Sequence, residues 1–159
     1  MGIVLLRVDE RLLHGQVTIG WGARLKPSRY VVVDDDLAGS QWERDLMALG
    51  VPPGVEAVFA TVAESRDRVE EWLASEEAIV LLTRDLDHML RLARSGRLRG
   101  TRVNLGGLHH APGREEVLPY LYLSEEDQKR IRELEREGVE VTARDLPTSP
   151  VRSTADILR

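Results

Sequence analysis

Apolar and polar positions fall in blocks along this chain, and the period changes from block to block. Ile3 to Val8 is a short run rich in branched side chains, broken only by Arg7, and it predicts a buried strand. It ends in Asp9-Glu10-Arg11, followed by Leu12-Leu13-His14-Gly15. From there Val17, Trp21 and Leu25 recur every four residues, which predicts a helical face. His14 is thereby placed on a loop that leaves a strand and enters a helix. In open α/β sheets, ligands bind outside the ends of the strands.

The rest of the chain alternates in the same way. Arg29–Val33 predicts a second buried strand, closed by Asp34-Asp35-Asp36, and Leu37–Leu49 predicts one helix stopped by Gly50 and the Pro52-Pro53-Gly54 turn. Val55–Ala60 predicts a third strand, and Val62, Val69, Trp72 and Leu73 mark the inner face of the next helix. Ala78–Leu82 is apolar throughout, as a parallel strand covered on both faces should be. Leu86, Met89, Leu90 and Ala93 follow at helical spacing, with Gly96 and Gly100 at the exit. Arg102–Leu105 predicts a fifth strand running into Gly106-Gly107, and Val117–Leu123 a sixth, placed at an edge by its Pro119. Ser124 with Asp127 resembles a capping box, Gly138 ends that helix, and the alternation over 139–143 predicts a half-exposed last strand. A short helix is expected near Ala155–Leu158. One helix per crossover implies an α/β fold, a single domain over 1–159 with a mainly parallel sheet.

Composition narrows the function. A formal net charge of −5 argues against a nucleic-acid binder. No apolar run reaches the roughly 18 residues of a membrane span, and Arg7 and Asp9 interrupt the N-terminal apolar stretch before it can read as a signal peptide. A cytoplasmic protein without membrane insertion is expected. Cysteine is absent, which excludes disulfides, cysteine–zinc sites and a thiolate nucleophile.

Residues 7–17, Arg-Val-Asp-Glu-Arg-Leu-Leu-His-Gly-Gln-Val, resemble the active-site signature of the IIB component of the mannose/fructose/sorbose class of bacterial sugar phosphotransferase systems. The likeness extends to Val-Val-Val-Asp-Asp at 31–35, Pro-Pro-Gly-Val at 52–55, Asn-Leu-Gly-Gly at 104–107 and Leu-Ser-Glu-Glu-Asp at 123–127. It implies an open, twisted sheet of about seven strands with helices on both faces. It also implies that His14 carries the phosphoryl group, on Nδ1, and that Arg11 supports transfer to the sugar. Other classes of IIB protein use a cysteine, which this chain lacks. The implied partners are a IIA protein or domain as phosphoryl donor and a membrane IIC/IID complex with bound sugar, which implies peripheral association with a membrane transporter. No fused IIA domain is expected within these residues, and a homo-oligomer is left open.

The chemistry of the loop fits that implication. Unperturbed imidazole is largely neutral near pH 7 and offers a free lone pair. A guanidinium fork such as that of Arg11 matches phosphate geometry. The backbone N–H groups of Gly15, Gln16 and Val17 stand at a helix N-terminus, where anions are favoured, and Gly15 allows close approach and unusual backbone angles. Asp9 has two readings, holding Arg11 or the imidazole, or capping the loop. Glu10 reads as solvated, and Gln16 either donates to phosphate or simply begins the helix.

Beyond the loop, Asp34-Asp35-Asp36 reads as a solvated strand end and helix cap in preference to a magnesium site, with Asp34 a possible lining residue. Asn104, Gly106 and Gly107 also follow a strand and are expected to face His14 across the sheet edge. His88, His109 and His110 lack ligand-type spacing with an acidic partner on the same element, so no metal site is expected there. No cofactor is implied either: no Gly-rich P-loop and no G-x-G-x-x-G occurs. Leu108-His109-His110 departs from relatives, which often have a methionine and less basic neighbours at that point. The expected activity is that of a phosphocarrier forming a covalent histidine intermediate. The alternative is a regulatory or binding module that keeps the fold without the catalysis.

Overall fold

The computed structural model describes residues 1–159. Nine strands form: β1 (Gly2–Asp9), β2 (Arg29–Val33), β3 (Glu56–Ala60), β4 (Ala78–Thr83), β5 (Arg102–Gly107), β6 (Glu115–Leu118), β7 (Leu121–Leu123), β8 (Glu140–Ala143) and β9 (Arg152–Ser153). Seven of them make one sheet in the order β3-β2-β4-β1-β5-β8-β9. All its neighbours pair in parallel except β8 and β9. The α-helices are α1 (Gly22–Leu25), α2 (Asp35–Ala38), α3 (Gln41–Ala48), α4 (Val62–Ala74), α5 (Leu86–Ala93), α6 (Glu125–Arg136) and α7 (Thr154–Ile157).

Strand order decides which face each helix covers. Connections from β1 to β2 and on to β3 run one way along the sheet, while those from β3 through β4 and β5 to β8 run the other way. Right-handed crossovers then place α1 to α3 on one face and α4 to α6 on the other. The core divides accordingly. Val80 and Leu82 join Leu12, Leu13, Val17, Val32 and Leu37 in a small cluster. Ile79 and Leu81 of the same strand join the larger cluster with Val69, Trp72, Met89 and Ile131. Direction reverses between β1 and β5, whose following loops leave to opposite faces. The crevice at their C-terminal ends is the switch point where such sheets bind ligands.

Several expectations need correction. Helix 37–49 is two helices, broken at Gly39-Ser40 between α2 and α3. Residues 117–123 are not one edge strand of the main sheet: β6 and β7 form a separate antiparallel pair, with Pro119 in the turn between them. The seventh strand of the main sheet is instead the two-residue β9. β8 is not half-exposed: Val141 and Ala143 pack into the large core, and Thr142 on the other face is buried too. The expected capping box at Ser124 and Asp127 is present, and a second one, Ser153 with Asp156, opens α7.

The first helix begins with a π-helical segment, Gln16–Trp21, which leads directly into α1. A recurrence of four, wider than the 3.6 of an α-helix, agrees with this wider winding.

Candidate functional site

β1 delivers its last residues into the crevice. Arg7 and Asp9, two apart on a strand, face the same side of the sheet and are both fully buried. Asp9 organises the loop that follows. Its Oδ1 accepts the Arg11 N–H at 3.1 Å, and its carbonyl accepts the Leu12 N–H at 2.9 Å. Its Oδ2 faces Nε2 of His14 at 2.9 Å and also accepts from Arg7 Nη2 at 3.1 Å. Asp9 therefore both caps the loop and holds the imidazole, while Arg11 Nε stands farther off at 3.7 Å.

Burial alone would raise the Asp9 carboxyl. The His14 hydrogen bond, the charges of Arg7 and His14, and the Arg11 N–H outweigh it and hold the group below the ordinary carboxylate range.

The loop's unusual backbone lies at Leu12, whose φ is 56°. That turn drives Leu12 and Leu13 inward, where both are buried in the smaller core cluster. Gly15, expected to supply unusual angles, has φ −54° and ψ −36°, an ordinary helical conformation. The side chain of His14 keeps 17% of its surface exposed, with Nδ1 outside the Asp9 contact. The carbonyl of His14 accepts the N–H groups of Val17 and Thr18, each at 2.9 Å. Val17 thus has no free N–H to offer an anion, whereas those of Gly15 and Gln16 make no hydrogen bond. Gln16 Oε1 accepts from both Arg7 Nη2 (3.3 Å) and Arg11 Nη2 (3.1 Å).

The opposite wall comes from β5. Asn104 Oδ1 accepts from Arg7 Nη1 at 2.6 Å. Register skips Gly106: Val8 pairs with Leu105 and Asp9 with Gly107. Gly106 is a bulge over which the Arg7 guanidinium lies, so close that a Cβ there would stand 2.0 Å from the guanidinium carbon. The Gly107 carbonyl accepts the Glu10 N–H at 3.0 Å. The structure thus brings Asp9, Arg11, His14, Gly15, Gln16, Asn104, Gly106 and Gly107 to one crevice, whereas Val17, expected there too, is buried in the smaller core cluster with its N–H bonded to His14.

Asp34 lies outside this network. It is buried, accepts the Leu37 N–H at 2.9 Å as the cap of α2, and pairs with Arg84 at 3.0 Å. β4 separates its strand from β1. The expected cap is thus Asp34, which is buried, while Asp35 is part-exposed and Asp36 stands in solvent. Glu10 is part-exposed but not free: it accepts from the N–H of His109, faces His109 Nδ1 at 2.7 Å, and pairs with Arg114 at 3.5 Å. His110 meets Tyr122 edge-on.

His88 does have acidic neighbours, since Asp85, Asp87 and His88 hold their ligand atoms within 4.8 Å of one another. His88 Nδ1 is taken by Asp85 at 2.8 Å, however, and Asp87 faces Arg91.

Sequence reasoning missed Arg7 as a site residue. Its signal was present, a charged residue two before Asp9 inside an apolar strand, but nothing linear shows that Asn104, Arg144 and Asp145 surround it.

Comparison with known proteins identifies the family. The profile of the family described as "PTS system sorbose subfamily IIB component" matches residues 3–159. The chain belongs to that family. The PTS system mannose-specific EIIAB component of Escherichia coli (strain K12) is 32% identical over 159 residues, 99% of this chain and 49% of that protein. The chain thus spans about half the length of the mannose-specific curated relatives that it matches. The PTS system sorbose-specific EIIB component of Klebsiella pneumoniae is 27% identical over 94% of this chain and 91% of its own length. The crystal structure of the IIBSor domain of the sorbose permease from Klebsiella pneumoniae superposes with a TM-score of 0.86 at 27% identity, covering 98% of this chain and 95% of that one. No helix is long and apolar enough to cross a membrane.

Proposed function

We propose that this IIB domain accepts a phosphoryl group on Nδ1 of His14 from a phosphohistidine of a IIA protein or domain, and passes it to a sugar held by a membrane IIC/IID complex. The observation that carries this reading is the orientation of His14, with Nε2 against Asp9 Oδ2 at 2.9 Å and the ring partly open to solvent. A carboxylate only accepts, so Nε2 keeps its proton and Nδ1 keeps the lone pair. In the transfer, Nδ1 bonds to phosphorus as the donor's nitrogen–phosphorus bond breaks, and the electron pair of that bond returns to the donor ring. His14 becomes an N-phosphoryl imidazolium with Nε2–H retained, and the Asp9 carboxylate stabilises the positive charge that develops. In this reading Arg11 meets the equatorial phosphoryl oxygens, and the free N–H groups of Gly15 and Gln16 add donors at the start of the helical segment.

The test is incubation with phosphoenolpyruvate, the general phosphotransfer proteins and IIA, followed by intact mass and peptide mapping. One acid-labile, alkali-stable phosphoryl group on His14 is expected, and none on His14→Ala. A label on His88, His109 or His110, or full phosphorylation of His14→Ala, rejects the reading.

A further inference from the structure

Arg7 is the only arginine of the chain that is fully buried, and every one of its donors is used. Nε and Nη2 donate to Asp9 Oδ2 at 3.4 and 3.1 Å. Nη1 donates to Asn104 Oδ1 at 2.6 Å and to the Arg144 carbonyl at 2.9 Å. Nη2 also reaches the Asp145 carbonyl at 3.0 Å and Gln16 Oε1 at 3.3 Å. Trp21, whose indole N–H is held by the same Asp145 carbonyl, lies 5.5 Å from the guanidinium carbon. With no exposed surface, Arg7 does not touch a phosphoryl group. Its seat is assembled from β5, the helical segment after the loop, and the chain after β8.

We propose that Arg7 is the positioning residue of the transfer: by holding Asp9 as a carboxylate against Nε2, it dictates the His14 tautomer that bares Nδ1. This inference rests on the reading of His14 as phosphoryl acceptor. Asp9 has no water around it, and an isolated buried carboxyl takes up a proton. Arg7 cannot release its own proton, so the carboxylate beside it always faces a positive charge. Arg11 does not replace it, because its guanidinium is farther from Asp9 and its side chain is 45% exposed, where solvent screens the charge. Without Arg7, a protonated Asp9 donates to Nε2, the imidazole proton moves to Nδ1, and the lone pair needed to attack phosphorus is gone. The neutral Asp9 also no longer stabilises the phosphoryl imidazolium.

The experiment reads the tautomer directly, from ring 15N chemical shifts of His14 in the unphosphorylated full chain at about pH 8, where an ordinary imidazole is neutral. In the native protein the Nε2–H form is expected to dominate. Arg7→Met should move the population toward Nδ1–H and slow phosphoryl acceptance by about 10²–10⁴. Arg7→Lys keeps the charge and loses the fork, so it should retain more of the Nε2–H form than Arg7→Met does. A native protein with mainly Nδ1–H, or a folded Arg7→Met with the native tautomer, overturns the proposal. Should Arg7→Met fail to fold, the native measurement and Arg7→Lys decide it. Mapping of the phosphoryl label is a separate readout: a label away from His14 rejects the functional reading, while the tautomer result stands on its own.

Discussion

Arg11 is tied to Gln16 by a hydrogen bond of 3.1 Å from Nη2 to Oε1, while 45% of its side chain remains in solvent. The same amide oxygen accepts from the buried Arg7, so one neutral group stands between two like charges. An amide orients a guanidinium without neutralising it. Arg11 is therefore directed, yet its charge stays available to an arriving phosphoryl group.

That availability predicts a split in the two half-reactions. On receipt, the donor protein brings its own stabilising groups. On delivery to a neutral sugar hydroxyl, no second phosphohistidine site helps. Arg11→Ala is expected to slow sugar phosphorylation by about 10²–10³ and acceptance from IIA by less. Arg11→Lys should also be impaired, because it keeps the charge and loses the fork. Single-turnover kinetics in both directions measure this. Equal losses would make Arg11 a support of the loop only.

The two glycines nearest the chemistry should behave oppositely. At Gly106 a Cβ would overlap the Arg7 guanidinium, which its six hydrogen bonds prevent from moving aside cheaply. Gly106→Ala is expected to cost about 1–3 kcal/mol in urea unfolding, the range for forced overpacking, and to slow phosphorylation of His14. At Gly15 a Cβ meets nothing within 4 Å and the backbone is already helical, so Gly15→Ala should leave stability within about 0.5 kcal/mol. A Gly106→Ala protein as stable as the native one would show that the seat of Arg7 yields easily.

The Asp85–His88 pair predicts a pH dependence of stability. The Asp85 hydrogen bond raises the His88 pKa against the opposing effect of burial, with Asp34 and Asp35 adding in the same sense. The Asp35 N–H stands 3.4 Å from Nε2, a contact that suits the neutral ring, but the 2.8 Å bond to Asp85 is the stronger of the two. The raised pKa means that the His88 contribution is fully present below about pH 6.5, its ordinary value, and is lost as pH rises through the folded value. Burial would raise the Asp85 carboxyl, but its bonds to the ring and N–H of His88 depress it instead. The Asp85 contribution is thus present above about pH 3.9 and lost as pH falls through the folded value. His88→Ala should cost about 1 kcal/mol more at pH 5.5 than at pH 8.5 in urea titrations. An equal cost at both pH values would show that the pair does not link protonation to folding.

Strand–helix alternation, the apolar β4 and the capping box at Ser124 are local properties, and each was legible because hydrophobic period and cap chemistry act over a few residues. The signature around His14 likewise marked the loop where the candidate chemistry lies. The break at Gly39-Ser40, the β6–β7 pair and the two-residue β9 were not legible, because they depend on which neighbour each backbone finds. Nor could the sequence alone show what surrounds the imidazole. Glu10 looked merely solvated, but the fold brings His109 and Arg114 to pair with it. Gly15 looked like the special backbone position, but Leu12 holds it. Arg7 looked like an interruption in a strand. Its partners lie up to 138 residues away, and only the order of β1, β5 and β8 in the sheet converts that buried charge into a fixed orientation for Asp9 and, through it, for His14.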